Sequence, residues 1–307
     1  MVTILVHGGA GCWDRQRTEA PVSGVRAAAD VGAAGLRSGE PALAAVVAAV
    51  SALEDDPTFN AGTGSSLTLD GRAEMDAAVM TGTDRATGAV AAVDRVRHPV
   101  RVARAVRDHT DHCLLGGDGG RRFARALGFA DHDPVTAAAR RRWRRHRERL
   151  AADDEAALPR LASLLRAHPE LGGDTVGAVA LDAAGGLAVA TSTGGVSLKL
   201  PGRIGDSPLA GAGFYADEAC AVAATGRGEL MIRSTAARAV TERVGAGDHP
   251  QAAVAAVLAE MAAGLGQDAG LIAVDAHGRT GIGHRTRDMP HALASDSGTT
   301  SATLGRG

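Results

Sequence analysis

Hydrophobic and polar positions along this chain fall into two alternating patterns. A mostly apolar run, Val2–Val6, reads as a buried strand that ends in a glycine turn. Two Ala-rich stretches with helical spacing follow, about Ser23–Arg37 and Pro41–Leu53, and Pro41 suits the first position of a helix. A glycine loop, Asn60–Ser66, leads to strands around Ala73–Thr81 and Ala89–Val93 and to helices at Pro99–Arg107 and Gly119–Leu127. From about Asp131 to Gly173 the chain is highly charged, with little strand signal. The order then recurs. A hairpin runs from Val176 to Leu181, turns through Asp182–Gly186 and returns from Leu187, with helices near Glu229–Val244 and Pro250–Leu265 and strands near Gly270–Val274 and Thr280–Gly283. Strands inside and helices outside in both halves support a mixed α/β class.

Composition narrows this picture. With 307 residues, 45% of them hydrophobic, the chain can bury a substantial core in one large domain. Aromatics make up only 2%, so that core must be built from Ala, Val and Leu. The net charge of −2 supplies no global drive toward nucleic acid or an anionic membrane. No run of about 18 apolar residues occurs, so no membrane span is expected. The start of the chain lacks a basic region, a long apolar stretch and a signal-cleavage site, and a cytoplasmic location is expected. Cys12, Cys113 and Cys220 are scattered without metal-type spacing and read as three reduced core thiols. The tail from Asp296 to Gly307, rich in Ser, Thr and Gly, is expected to be mobile.

The candidate chemistry centres on Gly172-Gly173-Asp174-Thr175-Val176-Gly177, a threonine at the mouth of an apolar strand. A threonine hydroxyl needs an adjacent base. Cutting the chain just before Thr175 would supply one, its own α-amine, whose unperturbed pKa is about 7.7–8.0. Taken alone, Thr175 is equally an ordinary β-branched strand residue. The returning hairpin strand ends in Thr191-Ser192-Thr193-Gly194-Gly195, where Thr193 can lie beside Thr175. In Gly202-Arg203-Ile204-Gly205-Asp206-Ser207-Pro208 a cation and an anion stand three residues apart. They fit the carboxylate and ammonium of an α-amino acid, or form a loop ion pair with each other. Ala224-Thr225-Gly226-Arg227-Gly228-Glu229 reads as the start of a helix, either an oxyanion site or a capped first turn.

Together these segments resemble the plant-type L-asparaginase and isoaspartyl peptidase family of N-terminal-nucleophile threonine hydrolases. The resemblance also rests on Val6-His7-Gly8-Gly9-Ala10-Gly11, on Leu53-Glu54-Asp55-Asp56-Pro57-Thr58-Phe59-Asn60-Ala61-Gly62-Thr63-Gly64-Ser65, on Glu74-Met75-Asp76-Ala77 and on Gly211-Ala212-Gly213-Phe214-Tyr215-Ala216. It runs collinearly from residue 2 to about residue 283. It implies an α+β fold, a four-layer αββα sandwich that is one domain of two chains after self-cleavage. Residues 1–174 would form the α subunit, with a charged linker over about 131–173, and residues 175–307 the β subunit.

The resemblance further implies that the Asp174–Thr175 bond is cut and that Thr175 is the nucleophile, supported by Thr193. Arg203 would bind the substrate α-carboxylate, and Asp206 with the Gly228 carbonyl the α-ammonium. Thr225 and Gly226 would form the oxyanion hole, and Asn60 would help order water. No cofactor for catalysis is implied, but backbone carbonyls of Leu53, Glu54, Asp56, Phe59, Ala61 and Thr63 would hold a structural sodium ion. The activity implied is hydrolysis of L-asparagine and β-aspartyl dipeptides, small-molecule substrates, by an (αβ)2 dimer of cleaved units. One segment departs: His284-Arg285-Thr286-Arg287-Asp288-Met289 stands where the family often carries an Asn-Thr-x-x-Met-like run.

Other classes fare less well. The run Arg140–Arg149 with Trp143 could contact nucleic acid, but Asp153, Asp154 and Glu155 follow it and a solvated helical linker is expected. Asp108–Cys113 matches no metal-ligand spacing and reads as a helix-end turn. A serine hydrolase using His7–Gly11 as its oxyanion loop would need a Gly-x-Ser-x-Gly elbow, which is absent. The only lysine, Lys199, is not in a phosphate-binding loop. A glycosylasparaginase-like enzyme and a non-maturing homologue acting as a binding protein remain as alternatives.

Overall fold

The computed structural model of the protein describes residues 1–13, 18–152, 175–296, 298 and 300–305. Asp174, and with it the proposed scissile bond, lies outside them, as does the linker beyond residue 152. The first sheet has eight strands: β1 (Thr3–His7), β2 (Met75–Thr81), β3 (Thr87–Val93), β4 (Leu114–Gly116), β5 (Val176–Leu181), β6 (Leu187–Thr193), β11 (His291–Ser295) and β12 (Ser301–Thr303). Their order is β12-β11-β1-β5-β6-β2-β3-β4, antiparallel except for the β3–β4 pair. The second sheet has the order β10-β9-β8-β7, built from β7 (Phe214–Ala216), β8 (Cys220–Gly226), β9 (Ala269–Asp275) and β10 (Thr280–His284).

Central strands of the first sheet are apolar on both faces because both faces are covered. Along β5, Val176, Ala178 and Ala180 join a cluster with α1 (Glu19–Arg37), α2 (Ala42–Asp55) and α3 (Pro99–His109). The alternate residues Val179 and Leu181 join Phe214, Ala221, Ala223, Ile272 and Val274 of the second sheet. The other face of that sheet meets three further helices, α6 (Gly228–Ser234), α7 (Ala236–Gly245) and α8 (Pro250–Gly264), through Val222, Ala224, Leu230, Val240, Val257 and Leu271. With so few aromatics, small side chains allow these elements to approach closely.

Several expectations need correction. The tail is not wholly mobile: Ser301–Thr303 pairs with His291–Leu293 as an edge strand. Only Cys220 is a core thiol, since Cys12 and Cys113 are exposed. The helix expected over Glu229–Val244 is broken at Thr235, whose φ of 45° is left-handed, so it forms α6 and α7. Thr225 and Gly226 end strand β8 rather than opening that helix; Arg227 is the residue before it.

The Arg-rich run forms helix α5 (Ala137–Ala152), with α4 (Gly117–Ala126) before it, and α5 is docked rather than free. The Trp143 indole donates to the Thr68 carbonyl at 2.9 Å, and the Arg147 guanidinium lies over its ring, 4.9 Å from the centroid. His146 is buried against Ser197, its Nδ1 2.8 Å from the hydroxyl, and Arg142 donates to the Gly64 carbonyl. Asp108–Cys113 does follow α3 as its end, and among the described residues no cluster of His, Cys, Asp or Glu could hold a metal ion. Among the described residues no helix is long and apolar enough to cross a membrane.

Candidate active site

The hairpin β5–β6 sets the first relation. Val176 pairs with Ser192, so one step outward Thr175 stands opposite Thr193, as the spacing predicted. Both are buried. The partner of the Thr175 hydroxyl is not Thr193, however. Thr193 Oγ1 accepts from the Gly195 N–H at 2.9 Å, whereas Thr175 Oγ1 lies 3.1 Å from Ser207 Oγ. The Ser207 carbonyl in turn accepts from Thr191 Oγ1 at 2.8 Å, which fixes that residue to β6. The sequence assigns Ser207 no role of its own; its hydroxyl, one residue after Asp206, is the signal that points to it.

Ser207 belongs to the loop carrying Arg203 and Asp206. Three contacts to the start of β2 hold this loop. Lys199 Nζ donates to the Glu74 carbonyl at 2.6 Å, the Gly202 N–H to Glu74 Oε2 at 2.7 Å and the Gly205 N–H to Asp76 Oδ2 at 3.3 Å. Burial pushes the Lys199 amine below its ordinary pKa. Asp76 also accepts from Ala92 N–H at 2.7 Å, so a single buried carboxylate ties β3 to the loop.

Arg203 does not pair with Asp206. Its guanidinium meets Glu229 Oε1, 2.9 Å from Nη2 and 3.2 Å from Nε. Burial pushes the Glu229 carboxyl up, but Arg203, its own backbone and Arg227 outweigh that and hold it below its ordinary pKa. Asp206 is buried, and its Oδ2 has no hydrogen-bond partner among the described residues. Desolvation, opposed by Arg203, raises its pKa to about 7. An orphaned buried carboxylate oxygen is costly unless a ligand completes it. Gly228 leaves room for that ligand: a Cβ there would sit 2.7 Å from Asp206 Oδ1.

The second sheet brings the remaining groups. A Cβ on Gly177 of β5 would lie 3.0 Å from the Ala223 Cβ of β8, so the two strands meet face to face two residues from Thr175 and Thr225. Thr225 Oγ1 accepts from the Ala10 N–H at 3.1 Å, which leaves its hydroxyl hydrogen available to donate. The His7–Gly11 loop therefore orients Thr225 rather than forming an oxyanion loop of its own. Gly226 has a φ of 117°, a backbone state that favours glycine, and a Cβ there would meet the Asp268 carbonyl at 2.4 Å. Met289 of the divergent segment is fully buried, its Sδ close to Gly270, which pairs with Thr225.

Asn60 lies beside β6 rather than alone: its Nδ2 donates to the Gly195 carbonyl at 2.7 Å, and its own carbonyl accepts from Gly194. His7 on β1 is buried beside the Thr175 backbone, although neither ring nitrogen reaches a well-formed hydrogen bond among the described residues. Desolvation, aided by His291, lowers its pKa to about 3, so it is neutral.

Glu54 is also fully buried. Its Oε1 accepts from Ser192 Oγ at 2.6 Å and from the Val100 N–H at 2.9 Å, yet desolvation outweighs both and raises its pKa from 4.5 to about 8. The fold thus keeps a proton that the unfolded chain releases above about pH 4.5. The stability from this group is full below that pH and is lost as pH rises through about 8. Glu54→Gln keeps the acceptor and removes the titration. Denaturant unfolding should show the variant gaining on the parent by on the order of 1.4 kcal/mol per pH unit within this window. A difference that stays flat with pH would mean that Glu54 is ionised in the native protein.

The chain has relatives among known proteins. Residues 1–304 match the family model described as asparaginase. The chain is similar to a plant-type L-asparaginase of Pyrococcus abyssi, 44% identical over 295 residues that cover 95% of this chain and 96% of the other. It is 41% identical to an isoaspartyl peptidase/L-asparaginase of Bos taurus, covering 95% and 93% of the two chains. An isoaspartyl peptidase of Salmonella typhimurium is 41% identical over 306 residues, 97% of each.

Proposed function

The chain belongs to the asparaginase family over almost its whole length, and we propose that it is a self-cleaving threonine amidohydrolase that converts L-asparagine to L-aspartate and ammonia and cleaves β-aspartyl dipeptides. One observation carries this reading: the buried Thr175 hydroxyl is bonded to Ser207, in the same loop that presents Arg203 and the unpartnered Asp206 carboxylate. A nucleophile and an amino-acid head-group site are thus close in space and jointly fixed to β2 and β6.

Cleavage of the Asp174–Thr175 bond frees the Thr175 amine. Arg203 takes the substrate α-carboxylate; Asp206 and the Gly228 carbonyl take the α-ammonium. The Thr175 oxygen attacks the side-chain amide carbon while its proton passes to the amine. The Thr225 hydroxyl and Gly226 N–H stabilise the oxyanion, and Thr193 supports the nucleophile. Collapse breaks the C–N bond, and the amine's proton goes to the departing nitrogen. Water then attacks the resulting ester, activated by the same amine, and releases aspartate.

Three core clusters, one between the sheets and one on each outer face, support the αββα sandwich of this family. Residues 1–174 and 175–307 are its two subunits, and a cytoplasmic (αβ)2 dimer goes with the reading. The sodium loop is a fair fit. The carbonyls of Phe59, Ala61 and Thr63 accept no hydrogen bond among the described residues, whereas those of Leu53, Glu54 and Asp56 accept from Asp56, Thr63 and Phe59 N–H groups. Free carbonyl oxygens are what a hard cation takes, and its role would be to fix the loop that carries Asn60.

Intact mass, N-terminal sequencing and aspartate release test the proposal together. Two fragments are expected, the second beginning Thr175-Val176-Gly177, with turnover of asparagine that appears only in the cleaved protein. Asp206 must be ionised to bind an ammonium, so KM for asparagine should fall as pH rises through about 7. An uncleaved chain without turnover would leave a binding protein. Ser207→Ala should lower kcat by about 3- to 10-fold with little change in KM, the net value of one hydrogen bond to the nucleophile. A loss confined to KM would place Ser207 in substrate binding instead.

A further inference from the structure

Asparagine and a β-aspartyl dipeptide present the same head group to Arg203 and Asp206. They differ in what leaves: ammonia from one, and from the other an amino acid with its own carboxylate. A residue that separates the two substrates must therefore meet that second carboxylate.

A cation with no assigned task stands beside the site, near enough to Glu229 to lower its pKa. Arg227 stands between the oxyanion residues Thr225 and Gly226 and the ammonium-binding Gly228. Its backbone is fixed, the N–H donating to the Asp268 carbonyl at 2.8 Å. Its side chain makes no hydrogen bond or ion pair among the described residues, and its Nε is buried without a partner. Arg203 is in direct contact with Glu229 Oε1 at 2.9 Å, whereas Arg227 acts on that carboxylate only through space and has no oxygen within hydrogen-bond reach among the described residues. A guanidinium with a desolvated, unsatisfied N–H gains most from an anion that can take two of its donors at once, and a carboxylate has that shape.

We propose that Arg227 binds the C-terminal carboxylate of the residue released from β-aspartyl dipeptides and so sets the preference for dipeptides over asparagine. This rests on the hydrolase reading above. The subsite forms no covalent bond. It raises the affinity for the peptide and holds the leaving amine in line with the scissile carbonyl, while ammonia departs from asparagine without meeting it.

The test uses the cleaved enzyme with three substrates: asparagine, β-aspartyl-leucine and β-aspartyl-leucine amide, whose C-terminus is uncharged. Arg227→Met should lower the ratio of kcat/KM for β-aspartyl-leucine to that for asparagine by about 10- to 100-fold, mainly through KM. Arg227→Lys should restore part of it. The amide should be handled by the parent enzyme about as poorly as the acid is by Arg227→Met, and the substitution should leave it unmoved. Equal losses on asparagine and dipeptide, or an amide that responds as strongly as the acid, would overturn the subsite while leaving the hydrolase intact. A parent enzyme that turns over none of the three would remove the hydrolase reading and the subsite with it.

Discussion

Thr175→Ala is expected to leave the chain whole and to lower asparagine turnover by about 10,000-fold or more, because one atom serves both reactions. The hydroxyl that would attack the Asp174 carbonyl during maturation is the one that would attack the substrate amide afterwards. Its removal also deletes the base, since an uncut chain has no free amine at residue 175. The substitution should cost little stability. Thr175 lies at the end of β5, its hydroxyl bonds only Ser207 among the described residues, and alanine fits the same strand position. Mass spectrometry and thermal unfolding separate the outcomes. A folded, uncleaved and inactive variant supports a single nucleophile. Fragments of the parental masses together with retained turnover would move the chemistry away from Thr175.

Arg203→Leu should lower kcat/KM for asparagine by about 100- to 1,000-fold, chiefly through KM, while self-cleavage proceeds. Truncating one partner of a half-buried, charge-assisted pair removes the attraction and leaves the other charge uncompensated. Here two partners are affected. The substrate α-carboxylate loses a fork of donors, and Glu229, which meets Arg203 through Oε1 and has Oε2 buried without a partner, loses its counter-ion. Arg203→Lys should recover little, because an ammonium is a point charge and cannot hold two carboxylates in the plane of a guanidinium. Steady-state kinetics beside intact mass check the point. A variant that fails to cleave would show instead that the Arg203 loop acts in maturation, through Ser207 and its bond to Thr175.

Much of the fold could be read locally. The helices α1, α2, α3 and α8 and the hairpin β5–β6 announce themselves by period and by turn glycines, because burial on one face or two imposes those periods directly. Short strands could not be read. Leu114–Gly116, Phe214–Ala216 and Ser301–Thr303 have three residues each, too few to show alternation, and they exist because a neighbouring strand offers its free edge. Strand Cys220–Gly226 was hidden for another reason. It is apolar throughout, since both its faces are covered, so the segment ending in Thr225 read as the approach to a helix.

For the site, the residues alone left Thr175 an ordinary strand residue, Arg203 and Asp206 a loop ion pair and Thr225 a helix cap; only the resemblance to a known family singled out Thr175, Thr193, Arg203, Asp206, Thr225 and Gly226. Partners were another matter. That Arg203 pairs with Glu229 rather than Asp206, that Ser207 rather than Thr193 meets the Thr175 hydroxyl, that Ala10 orients Thr225 and that the arginine helix is docked through Trp143 and His146 are contacts across long sequence separations. Such pairings depend on how two sheets and their covering helices pack, and burial then decides the charges: Glu54 protonated, His7 neutral and Asp206 poised near neutrality. The sequence by itself determined which chemical groups this protein possesses and the local elements that carry them. Only the tertiary structure decided which groups face one another and in what state of ionisation, because desolvation and side-chain pairing are properties of the packed whole.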